Sequence, residues 1–160
     1  MAIKFKSSGR ITSENHIYTQ KVDLPPVGIR TPLRRSVTRI GPFEMHYSPA
    51  DQIHDNLRNL ILTNSGERLG RYSLGTNIRT LLFDLTSADD FEAKIMGLIR
   101  AAVSRYLPVV ELDTFEVDTA TVENDNVAEG MSLVVIKIKY NIPRLNIIGR
   151  ILDVTVYSGG

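Results

Sequence analysis

SPADQIHDNLRNLILTNSGERLGRYSLGTNIRTLLF, residues 48–83, is the stretch whose reading decides the fold. Ser48-Pro49-Ala50-Asp51 places a side-chain acceptor at an N-cap, proline at the first helical position and a carboxylate in the first turn, which together start a helix. Ile53, Leu57, Leu60 and Ile61 recur at helical spacing, while Gln52, Asp55, Asn56, Arg58 and Asn59 take the other side. The helix is therefore expected to lie on a core with one face in water. Asn64-Ser65-Gly66 stops it, because Gly66 can take the left-handed backbone that ends helices. Glu67 to Gly75 shows no regular period and reads as a loop, with Gly66 and Gly75 as its structural bounds. Ile78, Leu81 and Leu82 then share a face of a short helix running from near Thr76 to Phe83.

Downstream, Ser87 reads as an N-cap, with Asp89 and Asp90 in the favourable first turn. Phe91, Ile95, Leu98, Ala102, Val103, Tyr106 and Leu107 form a broad stripe that Pro108 ends. From Ala88 to Leu107 such a helix spans about 30 Å, enough to cross a small sheet, and Leu98 stands at its centre as a structural residue. Strand character follows. Val109 to Thr119 carries Phe115 and Val117 among charges. Leu133 to Tyr140 sets Val134, Ile136, Ile138 and Tyr140 against Val135, Lys137 and Lys139. The polar stretch Glu123-Asn124-Asp125-Asn126 and Gly130 makes these two a hairpin, with Glu116 or Asp118 available to pair with Lys137 or Lys139. Pro143 to Gly149 is a second connection, and Ile151 to Tyr157 a third strand with Leu152, Val154 and Val156 on one face. The expected class is α+β, helices packed on a small, mostly antiparallel sheet.

Upstream, residues 1–21 are polar with scattered apolar positions and read as an arm ordered by a partner, leaving 22–160 as a single domain. Val22 to Pro42 holds four prolines, and is expected to run extended with turns. Arg30, Arg34, Arg35 and Arg39 make it basic, but with no groove-entering element or stacking platform it reads as a solvated or protein-facing loop, and no nucleic-acid partner is expected. The chain's 160 residues, 42% of them hydrophobic, suit one well-filled core. Residues 1–80 hold 12 Lys and Arg against 6 Asp and Glu, and residues 81–160 hold 7 against 12, which points either to internal complementarity or to two differently charged contact surfaces. Cysteine is absent, which removes disulfides and thiolate metal sites. No run of about twenty apolar residues and no secretory signal stands in the sequence, so a soluble, cytoplasmically made protein without a membrane partner is expected.

Catalytic chemistry finds little purchase. Glu67 as a glycosidase acid needs a second carboxylate about 5 to 9.5 Å away, and Asp84, Asp89 and Asp90 have ordinary structural explanations. His16, His46 and His54 lack metal-ligand spacing, and Gly66, Gly70 and Gly75 do not make a phosphate-binding loop, so neither metal nor cofactor is expected. Glu67 and Arg68 fit a turn or interface hydrogen-bond network better, Arg68 offering a planar set of donors.

Gly28-Ile29-Arg30-Thr31-Pro32-Leu33, Gly41-Pro42-Phe43, Ile53 to Leu62, Thr63-Asn64-Ser65-Gly66-Glu67-Arg68-Leu69, Ser73-Leu74-Gly75 and Leu81-Leu82-Phe83 together resemble the baseplate wedge family of contractile phage tails. That family includes the lysozyme-like baseplate component of type VI secretion systems, and the resemblance runs from about Val22 to Tyr157. It implies a structural protein that joins the helical wedge bundle to the first sheath ring and helps relay baseplate opening into sheath contraction. Some members have carried a lysozyme label, but with no convincing pair of catalytic carboxylates in this sequence no enzymatic activity is expected. The resemblance also implies six copies per baseplate, wedge and sheath proteins as partners together with tube or hub proteins, and a place in the virion after assembly in the host cytoplasm. Many relatives carry Glu-Pro-Arg at the end of the long helix. Here Leu107-Pro108-Val109 keeps only the proline, with Arg105 and Glu111 nearby. The partner-contact residues implied are Glu67, Arg68, Arg71, Arg105, Leu107, Pro108 and Val109. A sheath arm is expected along Ile151, Asp153, Thr155 and Tyr157, or on the neighbouring strand.

Overall fold

Leu57, Leu60 and Ile61 on one helix, and Ile95, Ile99 and Val103 on another, bury against Val134, Ile136, Ile138 and Tyr140 of a sheet, and this apolar cluster organises the fold. In the computed structural model, residues 25–37, 41–83, 88–118 and 132–158 are described. Residues 1–21, Ser87 and the polar stretch Glu123 to Gly130, expected to form a turn, lie outside them. The chain divides into two compact units, Met1–Pro49 and Ala50–Gly160.

In the first unit, β1 (Gly28–Ile29) pairs antiparallel with β2 (Met45–His46), and Arg35 bridges Phe43 beyond it. Arg30 and Glu44 add an ion pair at 3.3 Å. The prolines keep the ladder short, as the extended reading anticipates, though pairing with residues 45–46 has no separate signal in the sequence. The Thr31–Pro32 bond is cis.

The second unit holds α1 (Pro49–Leu62), α2 (Ile78–Phe83), α3 (Ala88–Tyr106) and a sheet of β3 (Glu111–Asp118), β4 (Ser132–Ile142) and β5 (Ile147–Ser158). The class is α+β, helices on antiparallel sheet, and α1 begins at the proline expected. Strand order is β3-β4-β5, both ladders antiparallel. Register sets Phe115, Ile138 and Leu152 in one inward row and Val117, Ile136 and Val154 in the next. The opposite face carries Glu116, Lys137 and Asp153 side by side, alternating in charge across all three strands. A bulge after Leu112 shifts the register, and Lys139 pairs with Asp113 at 3.5 Å rather than with Glu116, while the Asp118 side chain lies outside what is described.

Three expectations are corrected. Leu98 is only half-buried and Ile99 is fully buried in its place, because Phe91, Ile95, Ile99, Ala102 and Val103 define a face from which Leu98 is rotated to the flank. Asp55, expected on the wet side of α1, is buried and has a partner. The connection after β4 is shorter than Pro143 to Gly149. A single 3-10 turn at Pro143–Leu145 ends on Asn146 in the left-handed conformation, and β5 begins at Ile147. Gly149, also left-handed, then sits inside the strand with its N–H donated to Asn141 Oδ1 at 2.7 Å.

Candidate functional site

The segment between α1 and α2 is a pinned loop, although its sequence lacks any period. Asn64 donates its backbone N–H and its side-chain amide to the two carboxylate oxygens of Glu67, at 2.9 and 2.8 Å. Gly66, with φ +94°, donates to the Tyr72 carbonyl at 2.7 Å, and the Ser65 N–H meets Asn77 Oδ1 at 2.6 Å. At the loop's exit the Thr76 N–H bonds the Thr63 carbonyl at 3.0 Å, and its buried hydroxyl donates to the Ile61 carbonyl at 2.6 Å. Gly75 is required there: a Cβ on it would stand 2.4 Å from the Thr63 carbonyl oxygen. Both bounding glycines therefore have a physical reason, backbone conformation at Gly66 and close approach at Gly75.

The end of α3 is tied to this loop. Tyr106 donates its hydroxyl to the Ser73 carbonyl at 2.6 Å, with Ser73 Oγ at 3.0 Å, and the Arg105 guanidinium lies 5.3 Å from the Tyr106 ring centroid. Arg68, Arg71 and Arg105 are all exposed, and the Tyr106–Ser73 bond joins the two segments that carry them. Tyr106 reads in sequence as one more core position. It does pack against the core, but its hydroxyl makes the junction, and nothing in a helical stripe distinguishes a tyrosine used in that way.

Glu67 and Arg68 do not form a pair. The Glu67 carboxylate is turned back on Asn64, and those hydrogen bonds, backbone first, hold it below the usual carboxylate range. Arg68 and Arg71 are exposed and make no side-chain hydrogen bond or ion pair among the described residues. Leu107 and Val109 are half-buried and pack against the core, while Pro108 is exposed; these three form the turn closed by Val110 N–H to the Leu107 carbonyl at 3.0 Å. The loop's most exposed apolar side chains, Leu69 at 92% and Tyr72 at 64%, carry no signal beyond being apolar in an aperiodic segment.

The second surface is the outer side of β5. Ile151, Asp153, Thr155 and Tyr157 are all exposed and share one face, and β5 bonds only β4, so its far edge is unpaired among the described residues.

No protein-family model and no curated protein sequence matches the chain. Solved structures do. The crystal structure of a tail lysozyme candidate from Geobacter sulfurreducens matches with TM-score 0.55 and 23% identity over 71% of this chain and 94% of that one. A chain of the cryo-EM baseplate of the anti-feeding prophage matches with TM-score 0.52 and 18% identity over 86% of this chain and 87% of that one. This chain shares their fold.

A third cluster holds the helical layer to the sheet. Arg150 of β5 meets Asp51 of α1 at 2.6 Å, and His54 Nδ1 lies 2.8 Å from the Tyr140 hydroxyl, whose side chain is fully buried. Burial lowers the His54 pKa and raises that of Tyr140; Arg150 and Arg58 also push His54 down, while Asp55 and Asp51 oppose them. A neutral imidazole bonded to a phenol between α1 and β4 works as a polar pin. His54, read in sequence as surface hydrogen bonding, is instead partly buried. Among the described residues no three acids or histidines gather as a metal site would need.

Proposed function

We propose that this chain is a structural component of a contractile-tail baseplate, linking the wedge bundle to the first sheath ring and helping convert baseplate opening into sheath contraction. The observation that carries the reading is the fold shared with a chain of the anti-feeding prophage baseplate over most of both chains. Two features of the site support it. The loop of residues 63–77 with the end of α3 offers a rigid basic contact surface for the wedge bundle. The free edge of β5 offers a row of backbone donors and acceptors that an extended sheath arm can continue as a further strand. Six copies per baseplate, contacts with tube or hub proteins, and assembly in the host cytoplasm before release in the virion belong to the same reading.

A sugar-cleaving role is disfavoured. A general acid must hold its proton near neutral pH, and the hydrogen bonds at Glu67 favour the ionised carboxylate instead. Deleting the gene from a producing strain is expected to yield tails that lack attached sheath. Complementation with Arg68→Ala is expected to restore assembly less well than Arg68→Lys, which keeps the charge but not the planar donor set. Amide exchange of the protein alone and in assembled particles is expected to show new protection along β5 or its neighbour. Fully sheathed, contractile particles without the gene overturn the proposal, as does sugar-polymer cleavage abolished by Glu67→Gln with assembly intact.

A further inference from the structure

The loop spends much of its hydrogen bonding on a tip that buries nothing of its own. Glu67, Asn77, Thr76 and Tyr106 fix its backbone from four directions, yet Leu69 projects 92% exposed and Tyr72 64% exposed. Holding apolar side chains rigidly in water has no folding benefit. It does reduce the ordering cost of binding. The charge around them has one sign: Arg68 and Arg71 carry no side-chain partner among the described residues, whereas Glu67, the loop's one acid, is already engaged by Asn64. Arg79 of α2 is near enough to help lower the Glu67 pKa, and Arg105 lies over the ring tied to Ser73.

We propose that the loop tip docks an acidic segment of a partner protein, whose aliphatic or aromatic side chains seat on Leu69 and Tyr72 while its carboxylates meet Arg68 and Arg71. This deepens the wedge-contact reading above and rests on it for the identity of the partner, though not for its chemistry. Protein is favoured over nucleic acid on two grounds. The whole chain has a formal charge of only +1, and the most exposed anchor is leucine, which offers neither phosphate contacts nor a stacking face. The arginines supply bidentate geometry for carboxylates, and the apolar pair supplies the water-excluding centre.

The test is photocrosslinking of the full chain in its producing cells, with Leu69→p-benzoylphenylalanine, followed by mass spectrometric mapping of the crosslinked peptide. The expected product is a partner peptide rich in Asp and Glu around apolar residues. Its yield should fall at least tenfold in Arg68→Glu/Arg71→Glu and recover when the partner's mapped acids are changed to lysine. These two positions are exposed, so the double variant should keep its melting temperature. If it does not, the unmutated loop still decides the matter, because raising salt from about 0.05 to 0.5 M in lysates must lower the yield of a charge-steered contact. A basic or uncharged partner peptide, a nuclease-sensitive adduct, a crosslinked pair of this chain, or a salt-indifferent yield overturns the proposal. So does absence of any crosslink from particles that contain the chain. An acidic crosslink in cells whose tails exclude the chain keeps the docking surface and removes the baseplate reading.

Discussion

Replacing Gly75 with alanine tests whether the loop is pinned as described. The residue sits at φ +133°, where an L side chain is strained, and the new Cβ would stand 2.4 Å from the Thr63 carbonyl oxygen and 2.9 Å from the carbonyl carbons of Thr63 and Asn64. All three are backbone atoms, so no flexible side chain can yield. The Thr63 carbonyl must retreat, and it is the acceptor for the buried Thr76 N–H. Backbone strain contributes about 1 to 3 kcal/mol. Leaving a buried donor unpaired contributes about 1 to 3 kcal/mol more. A total of about 2 to 6 kcal/mol corresponds to a melting temperature lowered by roughly 4 to 24 °C for a chain of this size. Gly70→Ala is the internal control: it also has positive φ, +78°, but nothing lies within 4 Å of its Cβ, so only the conformational cost of about 1 to 2 kcal/mol applies. Denaturant unfolding of the two variants side by side is the assay. Equal losses, or a Gly75→Ala loss under about 0.5 kcal/mol, refute the close approach as the reason for glycine.

Three further outcomes follow from the same geometry. Ile99→Ala should cost about 2 to 5 kcal/mol in denaturant unfolding and Leu98→Ala no more than about 1, and the opposite order would place α3 in a different rotational phase. His54 has a folded pKa below its unfolded value of 6.5, so its contribution is complete above that pH and is lost as pH falls through 6.5 towards the folded value. Stability measured between pH 8 and 5 should therefore drop more steeply in the native chain than in His54→Asn, and parallel profiles would remove the buried-imidazole account. Tyr106→Phe keeps the ring on the core but deletes the bonds to Ser73, so it should cost about 0.5 to 1.5 kcal/mol and speed amide exchange at Gly66, whose N–H depends on the Tyr72 carbonyl. Unchanged exchange there would mean that α3 does not hold the loop.

How much of this is legible in the sequence divides along a physical line. Where burial repeats with the period of the backbone, the pattern is written in the residues: Val134, Ile136, Ile138 and Tyr140 alternate and all face the core, and Leu152, Val154 and Val156 do the same. Phase is harder where a stripe is broad. Leu98 and Ile99 are adjacent, equally apolar and both plausible from Ile95, and only the position of Ala102 and Val103 against the sheet selects Ile99. What the pattern cannot carry is polar burial. Asp55 looks like any wet-face carboxylate. His54 likewise looks like any surface histidine, because the Tyr140 hydroxyl that it meets lies 86 positions on. The loop illustrates both cases. Gly66 and Gly75 mark it by their chemistry, while the tie from Tyr106, 33 positions away, appears only once α3 and the loop are folded together.

The charges on the sheet separate the two proposed contacts. On the outer face Glu116, Lys137 and Asp153 alternate in sign along a row, and Lys139 meets Asp113, so that face has no single sign with which to attract a charged partner. Recognition there falls to the backbone of the β5 edge and to the exposed Ile151 and Tyr157, both insensitive to the partner's charge. The loop has the opposite character, with guanidinium groups and no free acid in the loop itself. Salt should consequently weaken attachment at the loop while leaving strand addition at β5 nearly unchanged. A single salt titration of reconstituted particles, followed by amide exchange at both places, therefore discriminates between them. Loss of β5 protection in step with loss of loop contact would mean that the edge binds only after the loop has docked.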